Sequence, residues 1–437
     1  MKLAILGLGY VGSVTAACLA NEGHEVVGVD PDHVKVQQIN RAESPVVEPG
    51  LVEMIERSLA AGTLRAVTDP TTVIAASEVS IVCVGTPSRS NGSLSFDYVD
   101  AVVDQIGAAL RDRDGFHTVV IRSTVLPGTV EGRVIERLEA ASAKRVDVDF
   151  GVAMCPEFLR ETTAIDDFYH PPFTVLGVRD PRSEAALTEL FAFLPGAPRC
   201  VPISTAEALK YACNAFHAVK ISFANEMGRL CRTSGVDAAQ VMDLLCQDQQ
   251  LNISPAYLKP GFAFGGSCLP KDLRALMYQA KTADVDIPMI GNVLASNESH
   301  LRQAVRAVLA SDARKVCLLG LSFKVGTDDL RESPYVELAE TLIGKGIEVS
   351  IYDREVRPAR MIGANLRFMR ERLPHLAQIL HDDPVTALAG VEGAVVATKE
   401  PRVIDALTAA PPRLVLDLTG ELRRAADQLP GLVSLVW

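Results

Sequence analysis

Short apolar runs punctuate this chain and alternate with longer stretches of helical spacing. The runs at 2–6, 25–30, 79–84 and 118–122 read as buried strands. The first is followed by a Gly-rich turn and an Ala-rich helix. Strands alternating with helices predict a parallel α/β sheet. The pattern lasts to about residue 200, where Pro195, Pro198 and Pro202 mark a boundary. From about 204 to 234 there is no proline, and the first interior glycine is Gly228. That predicts a helix of ~30 residues, about 45 Å long at 1.5 Å per residue, suited to a spine between domains or subunits. Helical segments continue to about 310, and the runs 315–319, 347–352 and 414–418 then build a second α/β unit. The expected domains are 1–202, 203–310 and 311–437. Both outer units share one plan: strand, glycine-containing turn, helix, and a strand ending in Asp (Asp30 and Asp353).

Composition narrows the field. A chain of 437 residues, 48% hydrophobic, can bury two or three cores. No stretch approaches the ~18 uncharged apolar residues of a membrane span, and the N-terminal apolar run is too short for a signal peptide. No membrane contact and a cytoplasmic location are therefore expected. The nine cysteines are scattered, with no C-x-x-C pair and no clustered His, which fits reduced thiols and predicts no metal site. A net charge of -11 with few aromatics disfavours nucleic-acid binding.

Gly7-Leu8-Gly9-Tyr10-Val11-Gly12 follows the first strand and opens the first helix. Gly7 allows the tight turn, Gly9 lets backbone approach a pyrophosphate, and Gly12 permits close helix–strand packing. Asp30 closes the second strand, where a carboxylate accepts ribose hydroxyls and repels a 2′-phosphate. NAD is thus expected over NADP. Lys35 lies near the adenosine or is a surface lysine. Thr86 and Thr124 sit in loops at strand ends, where ligands of open sheets bind; spacing alone leaves each as donor or turn residue.

The most chemical segment is Phe264-Gly265-Gly266-Ser267-Cys268-Leu269-Pro270-Lys271-Asp272. Glycines leave the thiol open, and Pro270 suits the first turn of a helix over 271–281, so Cys268 stands at a helix N-terminus beside a lysine. Both features favour thiolate. The other eight cysteines are expected to be buried and inert. Lys210, Asn214, His217 and Asn225 share one face of the long helix at ~100° per residue, as a ligand wall or a solvated face. Glu157 and Glu161, at i and i+4, fit general-base work with a water or a structural ion pair.

Taken together, GLGYVG, GTPS, RSTVLPGTV, PEFLRE, KYACNAFHAVKISFANE, PGFAFGGSCLPKD and GLSFKVGTDDLRESP, in that order, resemble the UDP-glucose/GDP-mannose dehydrogenase family over essentially the whole chain. His217 and FAFGGSCLPKD resemble the GDP-mannose branch more than the UDP-glucose branch, which usually carries an apolar residue in place of His217. The resemblance implies two Rossmann-like, doubly wound parallel-sheet domains, for NAD and for the nucleotide sugar. A helical dimerisation domain with a long central helix would join them. It implies Tyr10, Val11, Asp30, Lys35, Thr86, Thr124, Lys271 and Arg331 as NAD contacts. Glu161, Lys210, Asn214, His217, Asn225, Phe262, Gly265 and Lys324 would meet the nucleotide sugar. Tyr257 to Phe262, with Lys259 among them, would reach the neighbouring subunit's site. Ala256 and Lys259 depart from the tyrosine and arginine of the GDP-mannose branch; Lys keeps the charge but not the planar fork.

The chemistry expected is a four-electron oxidation of GDP-mannose at C6 through a Cys268 thiohemiacetal and thioester. Lys210 and Asn214 would steady developing charge, and Glu161, or Asp272 with Thr124, would activate the hydrolytic water. The product would serve exopolysaccharide synthesis such as alginate. UDP-glucose or UDP-N-acetylmannosamine is the nearest alternative substrate. An NAD-sensing module without turnover and a thiol acyltransferase on a Rossmann scaffold are rivals of other classes.

Overall fold

The computed structural model describes residues 1–87, 89–91, 93–254, 261–266, 269–322, 330–356, 368–371 and 373–435, excepting the side chains of Ile221, Arg229, Arg232, Lys271, Asp272, Gln279 and Ala377. Packing divides the chain into two compact units, Met1–Ala218 and Val219–Trp437.

The first unit is built on eight strands: β1 (Lys2–Leu6), β2 (Glu25–Val29), β3 (Leu64–Val67), β4 (Val79–Val82), β5 (His117–Ile121), β6 (Phe150–Met154), β7 (Val175–Gly177) and β8 (Arg199–Val201). Their order is β3-β2-β1-β4-β5-β6-β7-β8. All described pairings are parallel except β6 with β7. The second unit has β9 (Lys315–Leu319), β10 (Glu348–Tyr352), β11 (Leu380–His381), β12 (Gly393–Val396), β13 (Leu414–Asp417) and β14 (Leu432–Ser434). Their order, β11-β10-β9-β12-β13-β14, repeats the plan of the first six strands, and every described pairing is parallel. Each sheet is therefore doubly wound and reverses direction once, at β1/β4 and at β9/β12. Ligand crevices form at such reversals.

Strands such as β4, β5 and β6 are buried throughout, the unbroken apolar pattern of a sheet covered on both faces. Helix α1 (Tyr10–Asn21) packs by small residues, with Gly12, Ser13, Ala16, Ala17 and Cys18 all buried. The four-residue strands β3 and β12 fall outside the runs read from the chain, whereas β4 and β13, equally short, lie within 79–84 and 414–418.

The expected long helix is a single element, Ile203–Thr233, of 31 residues. Two of its glutamates cap other helices. Glu207, fully buried, accepts from Gly128 N–H at 2.6 Å and Val130 N–H at 2.8 Å within the first unit. Glu226 accepts from Met289 and Ile290 N–H, both at 2.8 Å, within the second. A buried carboxylate offsets its desolvation by satisfying helix-start donors that have no partner in their own helix. None of the described helices is long and apolar enough to cross a membrane.

Candidate active site

The turn after β1 is shaped by what its glycines avoid. Gly7 has φ +98°, and a Cβ on Gly12 would lie 1.8 Å from the Gly7 carbonyl oxygen. Gly12 is thus demanded by helix–strand packing. Gly9 is different: a Cβ there would meet no described atom within 4 Å. Space is left above its backbone, where α1 begins with first-turn N–H groups suited to a pyrophosphate.

Asp30 is buried at the end of β2. It accepts from Leu8 N–H at 2.7 Å, Asp32 N–H at 2.9 Å and the Lys35 ammonium at 3.1 Å. A carboxylate offers about four acceptor positions, so one remains for a ribose hydroxyl. Lys35 is thus paired with Asp30 rather than standing apart on the surface. The equivalent Asp353 in the second unit is filled. It takes Leu321 N–H at 2.7 Å, Ser322 N–H at 3.0 Å, Ser322 Oγ at 3.2 Å, Glu355 N–H at 2.8 Å and Val356 N–H at 3.1 Å. Of the two aspartates, Asp30 alone retains acceptor capacity for a ribose.

The loops after β4 and β5 are tied together. Thr86 Oγ1 donates to the Thr124 carbonyl at 2.8 Å, and Ser123 Oγ to the Val84 carbonyl at 2.6 Å. Thr86 therefore has a structural task, tying the loop after β4 to the loop after β5, and Thr124 is half-buried beside it.

Lys210 is buried, and its ammonium donates to Glu157 twice, to the carbonyl and to Oε1, each at 2.7 Å. It also lies 5.5 Å from the Phe158 ring centroid. Of the two carboxylates four residues apart, Glu157 meets the lysine, whereas Glu161 is exposed. Asn214, His217 and Asn225, on the same helix, are exposed as well. The polar stripe thus contains one buried cation and three surface groups.

The end of that turn is held by a residue sequence reading passed over. Buried Glu48 accepts from the Tyr10 hydroxyl, from Thr162 N–H at 2.8 Å and from Ala164 N–H at 2.8 Å. Burial and the adjoining Glu48 carboxylate push the Tyr10 phenol well above its ordinary range. Nothing in the local pattern around Pro45-Val46-Val47-Glu48 announces these partners, 38 and 114 positions away.

In the second unit, Phe262 stacks on Tyr335 at 5.2 Å. A Cβ on Gly265 would lie 2.2 Å from the Glu332 carbonyl oxygen, so the glycine is required for the segment to pass there. Asn297, also not singled out by pattern, accepts from Phe264 N–H at 2.8 Å and donates to Phe264 O at 2.9 Å. Arg331 is half-buried in the adjoining loop. Cys268, Tyr257, Lys259 and Lys324, and the Lys271 and Asp272 side chains, lie outside the described residues. Helix Leu269–Thr282 does begin directly after the Cys268 position.

The remaining cysteines are not uniformly buried as expected: Cys200 and Cys246 are exposed and Cys213 is half-buried. The two exposed ones lie on β8 and at the end of helix Ala238–Gln247, whose residues are all at least partly exposed. Cys18 and Cys83 fit the expectation, since burial pushes each thiol up to about 12.

Models of the UDP-glucose/GDP-mannose dehydrogenase family match residues 1–194 (NAD binding domain), 204–299 (central domain) and 317–423 (UDP binding domain). The chain is 47% identical to a GDP-mannose 6-dehydrogenase of Pseudomonas syringae pv. tomato, covering 100% of both chains. The chain belongs to the UDP-glucose/GDP-mannose dehydrogenase family. It also superimposes on a ternary complex of GDP-mannose dehydrogenase from Pseudomonas aeruginosa with TM-score 0.95 and 45% identity over 100% of both. A UDP-glucose 6-dehydrogenase of Haloferax volcanii is 38% identical, covering 91% of each chain. As a member of this family the chain is an NAD-dependent nucleotide-sugar dehydrogenase, and the turn at Gly7–Gly12 with Asp30 fits that dinucleotide.

Proposed function

We propose that this enzyme oxidises the C6 alcohol of GDP-mannose to the carboxylate, in two steps on one site. The reading is carried by full-length kinship: 47% identity to GDP-mannose 6-dehydrogenases against 38% to a UDP-glucose 6-dehydrogenase. The buried Lys210–Glu157 pair offers a cation and a carboxylate suited to it.

NAD, when bound, accepts a hydride in each of the two oxidations. Lys210 stabilises the alkoxide that forms as the C6 hydroxyl passes its proton to a water, which carries it to solvent. Cys268 adds as thiolate to the resulting aldehyde, giving a thiohemiacetal, and the second oxidation leaves a thioester on its sulfur. Glu157, held by Lys210, takes a proton from the water that hydrolyses this thioester and frees the thiolate. One alcohol and one water thus yield one carboxylate, two hydrides and three protons. Glu161, at the exposed end of the same turn, together with Asn214, His217 and Asn225, meets the sugar and nucleotide. Phe262, Gly265, Tyr257, Lys259 and Lys324 complete that contact.

The division 1–202, 203–310 and 311–437 assigns the middle segment to self-association. Val219, Leu244, Leu269 and Tyr278 are exposed apolar residues along it, the kind of surface a second copy would cover. A cytoplasmic location fits scattered, unpaired cysteines, and the uronate would feed exopolysaccharide synthesis.

Turnover of GDP-mannose, UDP-glucose and UDP-N-acetylmannosamine, followed as NADH at 340 nm, tests the substrate. A preference for UDP-glucose would overturn the reading and point to Ala256 and Lys259. Cys268→Ser tests the covalent step: it should abolish uronate formation, even from the 6-aldehyde. Uronate production within about tenfold of the parent, roughly 1.4 kcal/mol of barrier, would remove the thioester from the scheme.

A further inference from the structure

We infer that Glu48 is a positioning residue that holds the Glu157–Thr162 turn in its working geometry and couples it to the start of the cofactor helix. The inference rests on the roles given above to Glu157 and Lys210.

Glu48 is 7% exposed, while its neighbour Val47 is 92% exposed. The chain thus turns this one carboxylate inward, against the desolvation cost of burying a charge. The cost is offset by three donors from two distant places. Tyr10 hydroxyl comes from the first residue of α1, immediately after the Gly7–Gly9 turn. Thr162 and Ala164 N–H come from the segment just beyond Glu157 and Glu161. Tyr10 also accepts from Thr162 N–H at 3.2 Å, so the three groups form a closed node.

The segment would not keep this shape unaided. Thr162 has φ +73°, in the left-handed region that a β-branched residue avoids. Glu48 offsets that strain by binding the N–H of the strained residue itself. Arg160, two positions earlier, is held by Asp167 at 2.6 Å, and Glu157 by Lys210 at 2.7 Å. The turn is therefore pinned at these three points, and the Glu48 point is shared with Tyr10, whose hydroxyl also lies 3.4 Å from the Arg160 carbonyl. Release of Glu48 lets Thr162 relax toward ordinary φ and carries Glu157 and Glu161 with it, changing the geometry of the reacting groups more than binding.

The test uses whichever nucleotide sugar the parent turns over fastest, so a failure of the GDP-mannose assignment appears in the parent and leaves this comparison intact. Glu48→Gln is isosteric, but in either amide orientation its NH2 faces one of the two backbone N–H donors. Glu48→Ala removes all three bonds. We expect kcat to fall about tenfold for the glutamine variant and about a hundredfold for alanine, with KM for NAD and for the sugar within about threefold of the parent. Retention of kcat within about threefold, with only a lower melting temperature, would make Glu48 a packing residue. A raised KM for NAD at unchanged kcat would place its action on the cofactor through Tyr10. Either result overturns the proposal.

Discussion

Lys210 donates to both the carbonyl and the carboxylate of Glu157 at 2.7 Å from a buried position. The two charges satisfy one another with side chains 9% and 12% exposed. Removing one partner of such a pair leaves the other buried and uncompensated, which costs about 3–5 kcal/mol. Lys210→Met should lose stability of that order in urea unfolding and about 10³-fold in kcat. Glu157→Gln still accepts from Lys210 but leaves the lysine's charge uncompensated and turns an NH2 toward Leu159 N–H, from which the carboxylate accepts at 2.8 Å. It should lose part of that stability and about a hundredfold in NADH production. Glu161→Gln should lose less than about tenfold. A larger loss for Glu161→Gln than for Glu157→Gln would move the water base to the exposed carboxylate.

Gly9 and Gly12 should separate folding from binding. An alanine Cβ at 12 meets the Gly7 carbonyl at 1.8 Å, whereas at 9 it meets no described atom within 4 Å and the backbone is already extended, φ −77°. Gly12→Ala should lower the melting temperature by more than about 8 °C or prevent folding. Gly9→Ala should melt within about 2 °C of the parent yet bind NAD at least about tenfold more weakly, because the methyl occupies the pyrophosphate's approach. Thermal melts and NAD titration measure the two. Normal NAD affinity in Gly9→Ala would show that the space above this residue is not the phosphate site.

The Asp30–Lys35 pair carries no net charge at the ribose end. Asp30→Asn keeps an acceptor for Leu8 N–H but leaves the Lys35 cation uncompensated beside the position of a 2′-phosphate. Cofactor titrations should show NADP affinity rising at least about tenfold in this variant. Lys35→Met in the same background should erase the gain. A gain that survives the second substitution would mean that loss of repulsion alone, without Lys35, accounts for it.

His117 should give the fold a measurable pH dependence. Its Nδ1 lies 3.0 Å from the Ser77 carbonyl and its Nε2 2.9 Å from Ser80 Oγ. Nδ1 must therefore carry the proton, and Nε2 accepts from the serine. Burial, and then the nearby Arg113 guanidinium, push the imidazole down to about 3. The unfolded chain binds a proton below about 6.5 and the folded chain does not, so stability from this group is complete above ~6.5 and is lost as pH falls toward 3. Between pH 7 and 5 the loss is about 2 kcal/mol. His117→Asn should be less stable at pH 7 but show a smaller drop to pH 5 by about that amount, read from urea midpoints. An unchanged drop would mean that other groups set the acid sensitivity.

Reading the chain alone was sufficient for the two α/β units, the 31-residue helix and the cofactor turn. These depend on neighbours in sequence. Gly7, Gly9 and Gly12 act within one turn, Asp30 stands at the end of the next strand, and helical periodicity repeats every few residues. What the chain did not disclose is which polar groups would be brought together across long separations. Glu157 and Glu161 look alike in Pro156-Glu157-Phe158-Leu159-Arg160-Glu161; only packing of the long helix, 53 residues on, selects Glu157 for Lys210. Asp30 and Asp353 close equivalent strands, yet Ser322, Glu355 and Val356 fill one carboxylate while the other keeps a position open. Glu48 is one glutamate among many until folding sets it against Tyr10 and Thr162. Hydrophobic pattern determines which elements form and which faces they bury, because burial responds to periodicity. The pairing of individual charges and donors is decided by the tertiary structure, because a single buried contact leaves no periodic trace in the chain.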